Sequence, residues 1–404
     1  MPRVRAFDAL VLDGGFRSGL AVTRSLGRAG CRLAVEGPSR VLRSRYAAEH
    51  VALPDPRQGL EGFTSALLAW LRSHPADAVM TSSDWGVAAL ASARGELERL
   101  TAPAIASPEA LTVATSKERT LAAAHEAGIR VPRALKVATA EEAVEAAAEL
   151  GLPCVLKPDR SWRETAEGGG ERVAARFLAN GEAARREAKR LVQPGAPALV
   201  QEFVSGGNES IQLFRREGRI TARSAVAASR TWPPLGGSYV MRVSMLPPED
   251  SLRYAERLVS EIGLDGFSEV EFRRHADGRA VLMEVNPRFV LSLELPIRAG
   301  VDFARMQLEW ARGGTPPEPG RYRTGVRLSW LGGELKLLAG SALGAYEPSE
   351  PPGAALRSFL RDYTPPPRID GVELRDPRPS LRGIGATVAE LANAAWSGGR
   401  PQRL

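Results

Sequence analysis

The chain has 404 residues, more than a single hydrophobic core usually supports, which predicts two or three packed units. Apolar residues make up 44% and charged residues 25% of the composition, and these ordinary globular values argue against disorder. The net charge of +7 comes from basic residues scattered through helical stretches, a pattern that favours a solvated surface over a nucleic-acid-binding stripe.

The sequence shows no targeting segment and no membrane span, so we expect a soluble cytoplasmic protein. The sequence has no long apolar region near its start and no later run of about 18 apolar residues, so we expect no membrane partner. Cys31 and Cys154 lie in apolar, strand-like contexts without CxxC spacing, which favours buried packing roles. The four histidines share no metal-binding spacing.

The first part of the chain alternates strands with helices. The predicted elements are strand 9–15, helix 19–26, strand 32–35, strand 78–84 and helix 86–100. This order predicts an open, mostly parallel sheet in an N-terminal domain of residues 1–112. Its glycines lack GxGxxG spacing, which favours packing over dinucleotide binding.

Polar residues follow the strand at 78–84. Ser82 and Asp84 would lie at the carboxyl end of that strand, where open α/β sheets bind substrates. Serine and aspartate are also the usual residues at helix N-termini. The sequence leaves both interpretations open.

The segment 113–198 combines helices with a buried strand that ends in a lysine. Its predicted elements are helices 116–128, 140–150 and 182–191 and strands 154–157 and 173–177. Lys157 ends the strand, and a glycine run follows it at Gly168, Gly169 and Gly170. Another strand at 199–204 then begins a segment that runs to residue 314.

Two strands joined by an Asp-Gly turn carry the most specific local signal. Glu271 lies on the first strand, and Glu284 and Asn286 share one face of the second because side chains alternate along a strand. These oxygen donors suit Mg²⁺, which proteins usually hold with one or two carboxylates and substrate phosphates. Arg288 adds a planar cation for phosphate oxygens. The alternative is a surface hairpin whose carboxylates pair with nearby arginines, although the apolar neighbours argue for burial.

In their order along residues 116–312, these features resemble the ATP-grasp superfamily. Residues 233–238 and 240–242 are similar to the carbamoyl-phosphate-synthase-like carboxylate–amine ligases within it. The resemblance implies an α/β chain with a Rossmann-like N-terminal domain, followed by a two-subdomain ATP-grasp fold with nucleotide in the cleft. The implied units are 1–112, a small subdomain 113–198, a large subdomain 199–314 with the metal site, and a C-terminal extension 315–404 of unreadable role.

The resemblance also implies roles for individual residues. Lys117 and Lys157 would contact the ATP phosphates under a lid formed by the glycine run 168–170. The hinge that holds the adenine would be Glu202, Phe203 and Val204, with Glu209 at the ribose hydroxyls. Glu271, Glu284 and Asn286 would bind two Mg²⁺ ions, with Mn²⁺ as a substitute, and Arg288 would act on the transferring phosphoryl group. Arg242 is either a ligand of the substrate carboxylate or an ordinary surface arginine.

Two departures from the family pattern concern the substrate side. The loop between Lys157 and the glycine run is longer than usual, so the register of the lid is not fixed by the sequence. Val290 and Leu291 occupy a position where relatives often have a glycine. We therefore expect a substrate pocket of altered shape beside the metal site.

The predicted function is an ATP-dependent ligase that forms an amide or peptide bond through an acyl phosphate and releases ADP and phosphate. Its partners would be a small carboxylate and a small amine, amino-acid or peptide-like, with no nucleic acid, and a homodimer is compatible with the sequence. Two alternatives stay open: a non-catalytic ATP-binding sensor or partner subunit, and a biotin-dependent carboxylase component, which would need a separate carrier because no biotin attachment segment is visible.

Overall fold

A computed structural model of the chain describes residues 6–37, 44–165, 169–193, 195–344 and 351–396. Its N-terminal sheet consists of β1 (Phe7–Val11), β2 (Leu33–Glu36), β3 (Ala47–Val51), β4 (Ala76–Met80) and β5 (Ala102–Pro103). All paired strands are parallel, in the order β3-β2-β1-β4-β5. In this sheet β2 and β4 lie on opposite sides of β1, so the strand order reverses there. A crevice opens at such a point, at the carboxyl ends of β1 and β4.

Helices cover this sheet and link it to the next unit. They are α1 (Arg17–Arg28), α2 (Leu60–Ser73), α3 (Asp84–Ser92), α4 (Arg94–Leu97) and α5 (Pro108–Ala114), with a 3₁₀ turn at Pro56–Gln58 before α2. The helix predicted at 86–100 is divided between α3 and α4. The hydroxyl of Ser92 donates to the carbonyl of Ala89 (2.9 Å), a local bond that competes with continued helical bonding.

The small subdomain is a four-stranded antiparallel sheet with two helices against it. Its elements are α6 (Lys117–Glu126), β6 (Ala134–Val137), α7 (Ala140–Leu150), β7 (Cys154–Pro158), β8 (Trp162–Glu164), β9 (Gly170–Arg172), β10 (Arg176–Leu178), α8 (Gly181–Leu191) and β11 (Ala198–Glu202). The sheet order is β10-β7-β11-β6, while β8 and β9 form a separate hairpin. Because β11 pairs with β6 and β7, this sheet continues to Glu202, beyond the predicted boundary at residue 198. Ala143, Ala146 and Ala147 form one apolar stripe of α7 and pack in the same core as Leu156 and Val200.

The large subdomain is built on a seven-stranded sheet. Its elements are β12 (Asn208–Arg216), β13 (Arg219–Trp232), β14 (Ser238–Met245), α9 (Glu249–Ile262), β15 (Gly266–Arg274), β16 (Ala280–Asn286), α10 (Glu294–Ala299), α11 (Phe303–Ala311), β17 (Arg327–Ser329), α12 (Leu331–Ala342), α13 (Pro352–Asp362), β18 (Arg368–Ile369) and α14 (Pro377–Trp396). The strand order is β16-β15-β12-β13-β14-β17-β18. Because β17 and β18 follow residue 314, part of the predicted extension belongs to this sheet.

One continuous core joins the N-terminal domain to the large sheet. It contains Leu67 and Val79 from the N-terminal domain, Leu111 from α5, and Val270 and Phe272 from β15. The α/β class and the open parallel N-terminal sheet predicted from the sequence are confirmed. Among the described residues, no helix is both long and apolar enough to span a membrane.

Candidate active site

The predicted metal ligands meet on two neighbouring strands. In the antiparallel pairing of β15 with β16, Glu271 lies opposite Glu284 and Glu269 lies opposite Asn286. The amide Nδ2 of Asn286 donates to Oε1 of Glu271 (3.0 Å). The register of the strands shifts just after this point, between Glu271 and Phe272. The structure thus brings Glu271, Glu284 and Asn286 together as the alternation predicted.

Burial and neighbouring like charges disfavour the ionised form of the carboxyl groups in this cluster. Burial raises the pKa of Glu271 well above its usual range, and the charges of Glu284 and Glu269 raise it further. Burial likewise raises the pKa of Glu269, although hydrogen bonds from Gln212 and Ser292 oppose the shift. A bound divalent cation would remove this repulsion.

The donor set fits Mg²⁺ in a shared site rather than a closed protein cage. No group of three or more His, Cys, Asp or Glu residues in the described part of the chain is arranged to hold a metal ion alone. Two carboxylates and an amide oxygen leave several of the six octahedral positions for waters and phosphate oxygens, which is how Mg²⁺ is usually bound. Glu271, Glu284 and Asn286 are the residues that would hold it.

The two predicted phosphate lysines approach this cluster from the small subdomain. Lys117 is the first residue of α6, and its Nζ donates to Ser161 Oγ (3.0 Å) and lies 3.9 Å from Glu284 Oε2. Lys157 lies near the end of β7, where burial lowers its pKa to about 8 and the charge of Glu284 opposes that shift. Both cations therefore lie in the electrostatic field of the metal cluster.

Arg288 links the cluster to the N-terminal domain. Its guanidinium makes a bidentate pair with Asp84, with Nε 2.6 Å from Oδ1 and Nη2 3.0 Å from Oδ2. Ser83 is the residue that caps α3, because its hydroxyl accepts from the backbone N–H of Gly86 (3.0 Å). Asp84 therefore does not cap α3, and its place in a substrate crevice stays a prediction.

An arginine of β15 contacts two of the three residues of the hinge predicted for adenine. Arg273 donates to the carbonyl of Val204 (2.6 Å), to that of Leu235 (2.6 Å) and to Oδ1 of Asn208 (2.9 Å), and its guanidinium lies 5.2 Å from the centre of the Phe203 ring. The backbone N–H of Glu202 donates to the carbonyl of Arg133 (2.9 Å). These bonds hold residues 202–204 between the small and the large subdomain.

The structure does not bring Glu209 to the other predicted site residues. Glu209 lies on the α9 side of the large sheet, where its carboxylate accepts from Nη2 of Arg274 (2.7 Å) and from the hydroxyl of Ser251. Its neighbour Asn208 points to the opposite side, toward the hinge. A ribose contact by Glu209 stays a prediction that would require this network to open.

Arg242 is likewise occupied. Its guanidinium is fully buried, pairs with the carboxylate of Asp370 and donates to the carbonyl of Leu291 (2.9 Å). Asp370 also pairs with Arg17 (2.5 Å), so this group ties the C-terminal extension to the N-terminal domain. Arg242 is therefore no surface residue, and its predicted contact with a substrate competes with this ion pair.

The glycine run predicted to cover the phosphates falls in the β8–β9 hairpin. Gly169 directly precedes β9 and Gly170 is its first residue, whereas Gly168 lies outside the described residues. A Cβ on Gly170 would lie 2.1 Å from the Trp162 ring, and one on Gly169 would lie 2.6 Å from the carbonyl oxygen of Arg57. Glycine at these positions therefore lets the hairpin pack closely on itself and on the N-terminal domain.

Two further residues, Glu269 and Tyr239, lie near the predicted metal ligands. Glu269 lies two positions before Glu271, so strand alternation could have placed it on the same face. The hydroxyl of Tyr239 lies 3.1 Å from Ser210 Oγ, and burial raises its pKa well above the usual range, with the charge of Glu271 adding to the shift. No local motif marks Tyr239, because it reaches the site through the pairing of β14 with β13.

One family model and several solved structures match this architecture. Residues 195–334, about a third of the chain, match the model described as "ATP-grasp in the biosynthetic pathway with Ter operon". No curated protein matches the sequence significantly.

Three of the matching solved structures each align with about four-fifths of the chain. The biotin carboxylase domain dimer of Hydrogenobacter thermophilus 2-oxoglutarate carboxylase, in complex with MgADP, ADP and bicarbonate, is 17% identical with a TM-score of 0.62, over 80% of this chain and 74% of that one. N5-carboxyaminoimidazole synthetase from Staphylococcus aureus with ADP is 14% identical with a TM-score of 0.60, over 79% and 80%. L-amino acid ligase from Bacillus licheniformis is 14% identical with a TM-score of 0.57, over 78% and 76%. At these identities the likeness establishes the fold alone. The family model matched by residues 195–334 agrees with the predicted resemblance to ATP-grasp proteins.

Proposed function

We propose, on the premise that the chain is an ATP-grasp protein by its fold and by its family match, that it is an ATP-dependent ligase that joins a small carboxylic acid to a small amine. The bond formed is an amide or peptide bond, and the products are ADP and phosphate. ATP with two Mg²⁺ ions, replaceable by Mn²⁺, completes the reacting system.

The proposal rests on one observation, the convergence of separate elements on one cleft. Lys117 comes from α6, Lys157 from the small sheet, Glu271 and Glu284 from the large sheet, and Arg288 from the loop that follows β16. Phosphoryl transfer needs positioning and neutralisation of charge more than a protein nucleophile. Two lysines, an arginine and a set of oxygen ligands supply that combination.

The reaction divides into two displacements. A carboxylate oxygen of the acid attacks the γ-phosphorus, the bond to the β–γ bridging oxygen breaks, and ADP leaves. The amine nitrogen then attacks the acyl carbon and loses a proton, and phosphate departs with the former carboxylate oxygen. Mg²⁺ supplies charge neutralisation on the phosphate oxygens when it is bound.

The residues of the chain bind and shield the reacting groups. Lys117 and Lys157 pair with phosphate oxygens, and Arg288 stabilises negative charge on the transferring phosphoryl group and then on the tetrahedral intermediate. The β8–β9 hairpin excludes water, which would otherwise hydrolyse the acyl phosphate. Amino acids or short peptides are the proposed substrates, as the acid, the amine or both.

The test is release of ADP from MgATP by the purified protein, with amino acids, small carboxylic acids and bicarbonate supplied singly and in pairs. We expect ADP release that depends on both an acid and an amine. Glu284→Gln should lower the rate about a hundredfold or more, because it weakens the hold on the metal. Glu149→Gln, at an exposed position on α7, is the matched control and should leave the rate unchanged.

Other outcomes separate the alternatives. ATP binding without turnover for any pair would contradict the ligase and favour a sensor. Bicarbonate-dependent ADP release that requires biotin would favour a carboxylase component.

A further inference from the structure

A cavity of about 250 Å³ lies between the N-terminal domain and the metal cluster. Its walls come from α3, α5, α6 and β16, and the larger part of the lining surface is apolar, from residues that include Val87, Ala88, Ala91, Leu111, Leu121 and Val285. Charged residues also line it: Asp84 and Arg94, which pair with Arg288 and Glu98, and Arg160. Lys117, Glu284 and Asn286 form a polar part of the same lining. Ala91 is exposed at the outer end, so the cavity connects the surface with the predicted phosphate and metal ligands.

The cavity does not include the residues predicted to hold the adenine. Among the described residues that line it, neither the hinge residues 202–204 nor Lys157 is present. It shares with the predicted nucleotide site Lys117, Glu284 and Asn286, and also Trp162 of the β8–β9 hairpin. A molecule whose reactive end reaches those groups could therefore extend into the cavity while ATP is bound.

We propose that this cavity binds the apolar side chain of the acid substrate, an inference that rests on the proposed ligase function. The carboxylate that attacks ATP must lie near Lys117 and Glu284, where the γ-phosphate is held. The apolar cavity begins at these residues, so the acid's remaining atoms occupy it. The substrate class is a carboxylic acid with an aliphatic or aromatic side chain.

The dimensions and the polarity of the cavity agree with that class. Its volume is below the about 300–1,000 Å³ of pockets that enclose drug-sized ligands, so it suits part of a small molecule. The apolar part of the wall favours binding of a hydrocarbon group and disfavours binding of a charged one. The indole Nε1 of Trp162, a buried lining residue, has no hydrogen-bond partner among the described residues, which leaves a donor for an oxygen of the bound acid.

The test fills the cavity and measures selectivity. Ala88→Leu adds three carbon atoms at a half-buried lining position, and Ala91→Leu adds them at the exposed end as a second variant that the fold should tolerate. Ala122→Leu is the matched control, because Ala122 is an exposed alanine on α6 that does not line the cavity. The probes are acetate to hexanoate and glycine to phenylalanine, with MgATP and with hydroxylamine to trap the acyl phosphate.

The wild type should have a lower KM for acids with larger apolar groups. Ala88→Leu should raise the KM for hexanoate, leucine or phenylalanine about tenfold or more, because the lost space excludes several carbon atoms. The KM values for acetate, glycine and ATP should stay within about twofold, and Ala122→Leu should resemble the wild type. Calorimetric Kd values for the same acids with MgADP should change in parallel.

The proposal is overturned if the wild type shows no preference for apolar side chains, or if the cavity variants change all acids equally or none. Absence of hydroxamate with every acid in the wild type would instead reject the ligase function itself, so the two failures are distinguishable. If Ala88→Leu does not fold, the comparison of Ala91→Leu with Ala122→Leu decides the question.

Discussion

Lys157 lies in the cleft with a pKa that burial lowers to about 8, although the Glu284 carboxylate opposes the shift. The side chain is therefore charged below pH 8 and becomes neutral as the pH rises through that value. Neutral lysine cannot neutralise a phosphate, so we predict that kcat/KM for ATP is level below pH 8 and falls by up to about tenfold per pH unit above it. Initial rates from pH 6.5 to 9.5 at limiting ATP measure this profile.

A variant with a permanent charge is the control for this prediction. Lys157→Arg keeps its charge throughout this range, since the pKa of arginine is above about 12. Its profile should lack the fall near pH 8, whatever its absolute rate. A wild-type profile that stays level to pH 9.5 would contradict the assignment of Lys157 to the ATP phosphates.

Residues within short motifs were predictable, and residues held by distant partners were not. Strand alternation was enough to group Glu271 with Glu284 and Asn286, because these three lie within one hairpin. The burial of Arg242 depends on Asp370, which lies 128 positions away in the sequence. No local pattern signals a pair of that separation.

At the scale of elements, the hinge depends on one glycine. A Cβ on Gly206 would lie 1.6 Å from the carbonyl oxygen of Arg274, on the strand that carries the hinge-fixing Arg273. Gly206→Ala must therefore shift either the loop or β15. We predict that this variant weakens ATP binding about tenfold or more, with a fall in Tm, since overpacking of this kind costs about 1–3 kcal/mol.

The adjacent glycine provides a matched control. A Cβ on Gly207 would have no atom within 4 Å, and its φ is not in the left-handed region. Gly207→Ala should therefore leave the Kd for ATP and the Tm nearly unchanged, as measured by calorimetry and thermal unfolding. Equal effects of the two substitutions would show that the close approach at Gly206 does not govern the hinge.

The periodic elements were predictable, and the irregular ones were not. Helix α7 follows from its alanine stripe, with Thr139 at its N-terminus and Gly151 after its last turn. The β8–β9 hairpin contains only three residues per strand and depends on the contact between Trp162 and Gly170, so its sequence showed a glycine run and no strand pattern. The sequence alone therefore does not define which residues of β8 and β9 pair with each other.

At the scale of the whole molecule, the residues after 314 connect the large subdomain with the N-terminal domain. Asp370 is fully buried between Arg242 of the large sheet and Arg17 of α1. Removing one partner of a buried pair leaves an uncompensated charge, which costs about 3–5 kcal/mol. We predict that Asp370→Ala lowers the free energy of unfolding by about this amount, as measured by urea denaturation.

A half-exposed pair with the same segment provides the control. Arg28 of α1 pairs with Glu373 at 2.9 Å and is 44% exposed, whereas Glu373 is only 15% exposed and also lies 3.8 Å from the buried Arg24. Arg28→Ala leaves Glu373 beside Arg24 and should cost less than about 1 kcal/mol, as is usual for surface ion pairs. A loss for Asp370→Ala as small as that for Arg28→Ala would contradict a structural role for the buried pair.

The role of this segment could not be predicted because its strands are too short to show a pattern. β17 has three residues and β18 has two, and both are held in the sheet by pairing with strands that are distant in sequence. The N-terminal sheet, in contrast, follows from its alternation of strands and helices. Local periodicity therefore predicts the sheets and helices within each unit but not the contacts that join the units.

The central claim is that a carboxylate oxygen attacks the γ-phosphate of ATP. The most direct measurement uses an acid substrate labelled with ¹⁸O in its carboxylate, together with MgATP and the amine, and follows the label by mass spectrometry. The account predicts one ¹⁸O atom in the phosphate released for each amide bond formed. Phosphate without label, or label found in AMP, would contradict it.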